Sequence, residues 1–166
     1  ILREAKQSGY TEPDPRDDLS GMDVARKVVI LAREIGMPIE LDTLAVESLV
    51  PEELRHVPLN AFLEGMANHD QAMQQLLANA QKEQCVLRFV GSIDAVKKQT
   101  QVKLQRIPQT HPFANIQLTD NIVLLQTRRY NSNPLVIQGP GAGPDVTAGG
   151  IFADLLRLAS YLGVSR

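Results

Sequence analysis

The sequence predicts an α+β fold, a mostly antiparallel or mixed sheet with helices on one face. Three observations predict it. A helix that is apolar over most of its circumference follows an acidic, proline-punctuated loop near the N-terminus. A long stretch of helical periodicity occupies the middle of the chain. Three or four segments rich in Val, Ile and Leu then follow as strand candidates. With 166 residues, 43% of them hydrophobic, the chain is long enough for one domain with a real core.

The first ten residues, ILREAKQSGY, read as the end of a helix that stops near Gly9. So abrupt a start is expected of a polypeptide whose beginning has been removed. Next comes TEPDPRDDLSGMDVARK, Thr11 to Lys27. Pro13 and Pro15 fix their own φ and push Glu12 and Asp14 out of the α region, so Glu12, Asp14, Asp17 and Asp18 are expected on a stiff, non-helical loop. Ser20 is the expected N-cap of the following helix, with Asp23 three residues on as the capping-box acid. Along that helix Ala25, Val28, Val29 and Ala32 form the apolar side, flanked by Val24, Leu31 and Ile35, which predicts a central, largely buried element. Asp23, Lys27, Ile30 and Glu34 share the other stripe.

Leu41 to Val50 alternates as a strand would, and Pro51-Glu-Glu opens a short turn or helix. From Leu59 to Lys82 apolar positions including Phe62, Leu63, Met66, Met73, Leu76 and Leu77 recur at helical spacing, softly interrupted at Asn68 to Asp70. Strands are predicted at Cys85–Ile93, Thr100–Ile107, Asn121–Thr127 and Leu135–Gln138. Gly139-Pro-Gly-Ala-Gly-Pro-Asp145 then leads into an apolar helix from about Val146 to Leu162, with Asp145 as its N-cap. No internal repeat or low-complexity segment interrupts this order.

A net charge of −2 and a pI of about 5.9 supply no general attraction for nucleic acid, and no Lys/Arg cluster supplies a local one. Cys85, the lone cysteine, excludes an internal disulfide and any multi-cysteine metal site. No apolar run approaches the length needed to span a bilayer. In Cys85-Val-Leu-Arg-Phe-Val the outward positions are not cleanly polar, which predicts contact between subunits and a homodimer.

The chemistry-bearing candidates concentrate in the Thr11–Lys27 segment. Asp23 and Lys27 stand four residues apart on one helix face. On a largely buried helix the lysine would be partly desolvated, with its pKa lowered toward the range of proton transfer. The alternative is an ordinary i to i+4 ion pair contributing a few tenths of a kcal/mol. The four carboxylates of the loop could in principle ligate Mg²⁺ or Ca²⁺, but the prolines and Arg16 favour ion pairing and turn formation, and no metal is assigned. His56, His69 and His111 read as surface or packing histidines without a partner acid. The glycine-rich segment, lying between a strand and a helix N-terminus, can present backbone N–H groups to an anion or simply give the helix a flexible start.

The segment TEPDPRDDLSGMDVARK resembles the substrate-site motif of homoserine dehydrogenases, and GPGAGPDVTAGGIFADLLR, Gly139 to Arg157, resembles the closing segment of the same family. The two occur in the family's order. The resemblance implies the catalytic part of an enzyme, in some cases joined to an aspartokinase, that interconverts L-homoserine and L-aspartate 4-semialdehyde with NAD or NADP. It assigns Glu12 to the amino-acid substrate, Asp18 to support of that pocket, Asp23 to the substrate's reacting end, and Lys27 to donation and acceptance of the proton. Gly9, Gly141 and Gly143 fall on the nucleotide side. It further implies a catalytic and dimerisation domain over 1–138, with 139–166 returning to a Rossmann domain that this chain lacks, since no G-x-G-x-x-G opens it. A second family lysine belongs to that domain, so the chain alone is expected to be inactive. A homodimer and a cytoplasmic location complete the implied picture. The rival readings are a substrate-holding and dimerisation module, and a regulatory amino-acid-binding module.

Overall fold

The computed structural model describes residues 1–117, 120–141 and 143–163. The chain forms two compact units, 1–109 and 110–166, each described separately below.

In the first unit, α1 (Leu2–Gln7), α2 (Pro15–Leu19) and α3 (Met22–Glu34) precede the two-residue strand β1 (Ala45–Val46). Helices α4 (Leu59–Gly65) and α5 (Asp70–Lys82) follow, joined by a 3₁₀ turn at Met66–His69 that corresponds to the soft interruption expected there. The hairpin of β2 (Cys85–Asp94) and β3 (Gln99–Pro108) completes a three-stranded mixed sheet of order β1-β3-β2. β3 runs antiparallel to β2, with Gly91 opposite Val102, and parallel to β1. The tip of the hairpin is held by the Asp94 carboxylate, which accepts the amides of Val96 at 3.0 Å and Lys97 at 2.8 Å.

Helix α3 lies across this sheet. Ala25, Val28, Val29 and Ala32 form its buried stripe and pack with Leu44, Ile39 and Val102. Burial of each valine is worth roughly 1.5–3 kcal/mol. A second cluster, Val50, Leu54 and Phe62, gathers Leu2, Leu19 and Leu63 and so ties α1, α2 and α4 together. The close approach of α3 rests on two glycines. A Cβ on Gly91 would stand 2.4 Å from Cγ2 of Val28, and one on Gly21 would stand 2.6 Å from the Phe89 ring.

The second unit contains a two-stranded antiparallel sheet, β4 (Asp120–Leu125) with β5 (Leu135–Pro140), and α6 (Pro144–Tyr161). Its helix buries none of its residues, and Ile151, Phe152 and Leu155 are each more than half exposed.

Six expectations need correction. The 12–18 segment is not wholly loop, because Asp17 and Asp18 lie on α2. The same two rules that predict stiffness also start a helix, with Asp14 held extended before a proline as an N-cap is, and Pro15 fitting the first helical position. The N-cap of α3 is Gly21 at φ 76°, not Ser20, which closes α2. Helix α3 is buried on one side only, with Ile30 60% and Ile35 58% exposed, because the sheet covers a single face. Leu41–Val50 is a 3₁₀ turn plus a two-residue strand, since the backbone and hydroxyl of Thr43 both bond the Glu40 carbonyl and turn the chain. Asp145 sits in the first turn of α6, behind the N-cap Gly143 and Pro144. The predicted strands form two sheets, not one.

Gly91→Ala is therefore expected to destabilise the chain by about 1–3 kcal/mol, since either α3 or β2 must shift to admit the methyl group. Urea denaturation measures this. Gly149→Ala serves as the control, because its Cβ would point into open space within α6. Equal midpoints for Gly91→Ala and the unsubstituted chain would contradict the packing described.

Candidate functional site

The acidic segment begins at Gly9, whose φ of 72° lets the chain leave α1 and whose surroundings would admit a Cβ without contact. Lys6 Nζ donates to the Pro13 carbonyl and fastens the segment back to α1. The Glu12 amide donates to Oδ2 of Asp18 at 2.9 Å, closing the segment from Glu12 to Asp18 around the two prolines and leaving the Glu12 side chain exposed. Asp14 caps α2, its Oδ1 accepting the Arg16 amide at 3.0 Å.

Arg16 then reaches in two directions. Its guanidinium bonds both oxygens of Asp14, Nε at 3.0 Å to Oδ1 and Nη2 at 2.5 Å to Oδ2. Through Nη1 it donates to the carbonyls of Arg55 at 3.1 Å and Val57 at 2.7 Å. It also stands 5.3 Å above the centre of the buried Phe62 ring. The Arg16 side-chain hydrogen bond, helped by the cap amide, holds the Asp14 carboxyl below its ordinary value. Asp14 in turn raises the Arg16 guanidinium. Of the loop carboxylates, Asp14 is thus engaged in capping and in pairing with Arg16, and Asp18 in bonding the Glu12 amide.

Asp23 and Lys27 come together on α3, Nζ to Oδ2 at 2.8 Å, with the acid in the first turn where the helix dipole favours it. Their side chains are 68% and 51% exposed, so the desolvation expected for Lys27 is absent within this chain. The reason is the one-sided burial of α3. Phe89, pressed against Gly21, sets the start of the helix and so where this pair is presented. Sequence reasoning missed Phe89. The available signal was the glycine of Leu-Ser-Gly-Met-Asp, which demanded a positive φ or a close neighbour and has both.

The structure thus builds two pairs, Glu12 with Asp18 and Asp23 with Lys27, joined along the chain by α2 and the Gly21 turn. In the second unit, Gly143 adopts φ 127° with open space around it at the start of α6, whereas the Cβ position of Gly141 is taken by the Asn121 amide. The latter glycine is explained by hairpin packing. Among the described residues no group of three or more His, Cys, Asp and Glu is placed to hold a metal. His69 is not without an acid, since its Nε2 stands 3.1 Å from Glu53.

Comparison with known proteins bears on the motif. The family model described as homoserine dehydrogenase matches residues 1–156. The chain belongs to the homoserine dehydrogenase family. It is 51% identical over 164 residues to the bifunctional aspartokinase/homoserine dehydrogenase 2, chloroplastic, of Zea mays, covering 98% of this chain and 18% of that protein. It is 48% identical over 167 residues to the homoserine dehydrogenase of Schizosaccharomyces pombe, covering 99% of this chain and 44% of that protein. A crystal structure of a Candida auris protein of unknown function shares the fold at a TM-score of 0.90 and 45% identity, over 96% of this chain and 45% of that one. The chain therefore spans less than half the length of these homoserine dehydrogenase relatives.

The Asp14–Arg16 pair has a pH signature. Because the folded-state pKa of Asp14 is depressed below 3.8, the unfolded chain binds more protons, and the stabilisation is full above that value and lost as pH falls through the folded one. Asp14→Ala should cost about 1 kcal/mol or more at pH 7 by loss of the cap and the pair. The denaturation curves of the two proteins are expected to draw together as the pH falls below the ordinary carboxylate range and Asp14 is protonated. A difference that persists undiminished in acid would refute the assignment.

Proposed function

We propose that this chain is the catalytic part of a homoserine dehydrogenase, interconverting L-homoserine and L-aspartate 4-semialdehyde with NAD or NADP in the biosynthesis of threonine, methionine and isoleucine. What carries the reading is the Thr11–Lys27 segment, in which two carboxylate-bearing elements are folded back on one another directly before a helix that presents a paired lysine. The Glu12 carboxylate, exposed on its closed loop, complements the substrate's ammonium group. Asp18 holds that loop through the Glu12 amide.

Lys27 exchanges the hydroxyl proton and Asp23 orients it. Within the chain Lys27 is half exposed and paired at 2.8 Å. Cover by substrate and by a nucleotide-binding part would remove its water, which disfavours the charged ammonium and frees the amine to take the proton. In the reverse direction the same nitrogen returns a proton to the oxygen of the aldehyde. The nicotinamide cofactor, when bound, supplies the hydride acceptor or donor.

The backbone at Gly9 and Gly143 is open enough for close approach of such a cofactor, and Gly141 shapes the loop that leads to Gly143. Residues 1–138 serve substrate binding and dimerisation in this reading, and 139–166 return to the nucleotide-binding part. The exposed apolar residues of α6, Ile151, Phe152 and Leu155 among them, support such a return, and the half-exposed Val136 and Ile137 of β5 support a homodimer. A cytoplasmic location belongs to the same proposal. No described helix is long and apolar enough to cross a membrane.

The test uses the full-length protein and follows NAD(P)⁺ reduction by L-homoserine. Lys27→Ala is expected to lower kcat by about 10²–10⁴-fold with a modest change in KM. A folded full-length protein without homoserine-dependent reduction would overturn the activity. Turnover that survives in Lys27→Ala would keep the activity and remove Lys27 from the proton transfer.

A further inference from the structure

Arg16 touches none of the proposed reacting groups, yet it makes more directed contacts than any of them. Its fork closes on Asp14, the N-cap of the five-residue helix α2. Its remaining nitrogen holds two carbonyls from a distant part of the chain, Arg55 at 3.1 Å and Val57 at 2.7 Å. Its flat face lies over Phe62, which is fully buried at the centre of the second core cluster. A five-residue helix has too few internal hydrogen bonds to hold its own direction. The guanidinium supplies what α2 lacks, an attachment at three points to the segment that precedes α4 and to α4 itself.

Asp18 sits on this helix two residues beyond Arg16. Its carboxylate accepts the Glu12 amide at 2.9 Å, so the direction of α2 sets where the Glu12 loop closes. A rotation of α2 would carry Asp18 and the Glu12 side chain with it, while Asp23 and Lys27, placed by Gly21, Phe89 and the sheet, would stay where they are. The two halves of the candidate site are therefore held by separate devices.

We propose that Arg16 is the positioning residue of the ammonium-binding half of the site, fixing Glu12 through α2 and Asp18 without contacting substrate. The proposal rests on the homoserine dehydrogenase reading given above. It predicts a division in the kinetics that a purely structural arginine would not produce. Lysine at this position keeps the charge but loses the fork that bonds Asp14 and the two carbonyls together.

The experiment measures homoserine oxidation by the full-length protein for the unsubstituted enzyme, Arg16→Lys and Asp14→Asn. The asparagine keeps a capping oxygen and removes the charged partner. For Arg16→Lys the KM for homoserine should rise about tenfold or more, the scale on which small misplacements of a binding group are felt, with the KM for NAD(P)⁺ unchanged and kcat within a few-fold. Asp14→Asn should shift the same constant in the same direction by less. Loss of active enzyme alone, a lower kcat with both KM values unchanged, would make Arg16 merely structural and overturn the proposal. If Arg16→Lys fails to fold, the homoserine KM of Asp14→Asn decides in the same way. An unsubstituted enzyme with no homoserine turnover would instead refute the underlying activity, which separates the two failures.

Discussion

The first unit depends on how closely α3 can lie on its sheet. Gly91 on β2 admits Val28 at a distance no side chain would allow, and Gly21 lets the Phe89 ring meet the start of the helix. The buried stripe Ala25, Val28, Val29 and Ala32 follows from that contact, and so does the outward direction of Asp23 and Lys27. A helix seated on a single sheet face keeps its opposite face open. The same geometry that fixes the lysine therefore leaves it wet within this chain, and the chemistry proposed for it requires a cover. Apolar residues exposed beside it on α3, Ile30 at 60% among them, are what a covering surface would meet.

The acidic segment obeys a different constraint. Its charges are placed by short-range bonding rather than by burial, with prolines setting the backbone, Asp14 capping, Asp18 bonding the Glu12 amide, and Arg16 tying the assembly to the second core cluster. Bonds of this kind orient groups without burying them, which suits the ammonium-binding role proposed for Glu12. A packed helix presents one pair and a bonded loop presents the other.

Legibility in the sequence followed the range of the determining forces. The β2, β3, β4 and β5 segments, the break between α4 and α5, and the apolar stripe of α3 were all visible, because periodicity and β-propensity are local. Hidden from it was anything set by contact across the chain. Ser20 satisfies every local rule for an N-cap, but Phe89, distant in sequence, needs the space at Gly21. The apolar circumference of α3 suggested full burial, yet one sheet can cover only one face. That strands after Thr110 pair with each other and form a separate sheet is likewise a matter of pairing, which composition does not encode. For the site, the pairing of Asp23 with Lys27 was legible from spacing and the roles came from family resemblance. The link from Arg16 to Val57 and Phe62 could not have been read from either.

In the proposed function one segment, Thr11 to Lys27, supplies both ends of a homoserine site. A crystal structure of the full-length protein with L-homoserine bound tests it most directly. The substrate's ammonium group is expected against the Glu12 carboxylate and its hydroxyl within about 3 Å of Lys27 Nζ. Homoserine bound elsewhere, or bound with its hydroxyl turned away from Lys27, would contradict it.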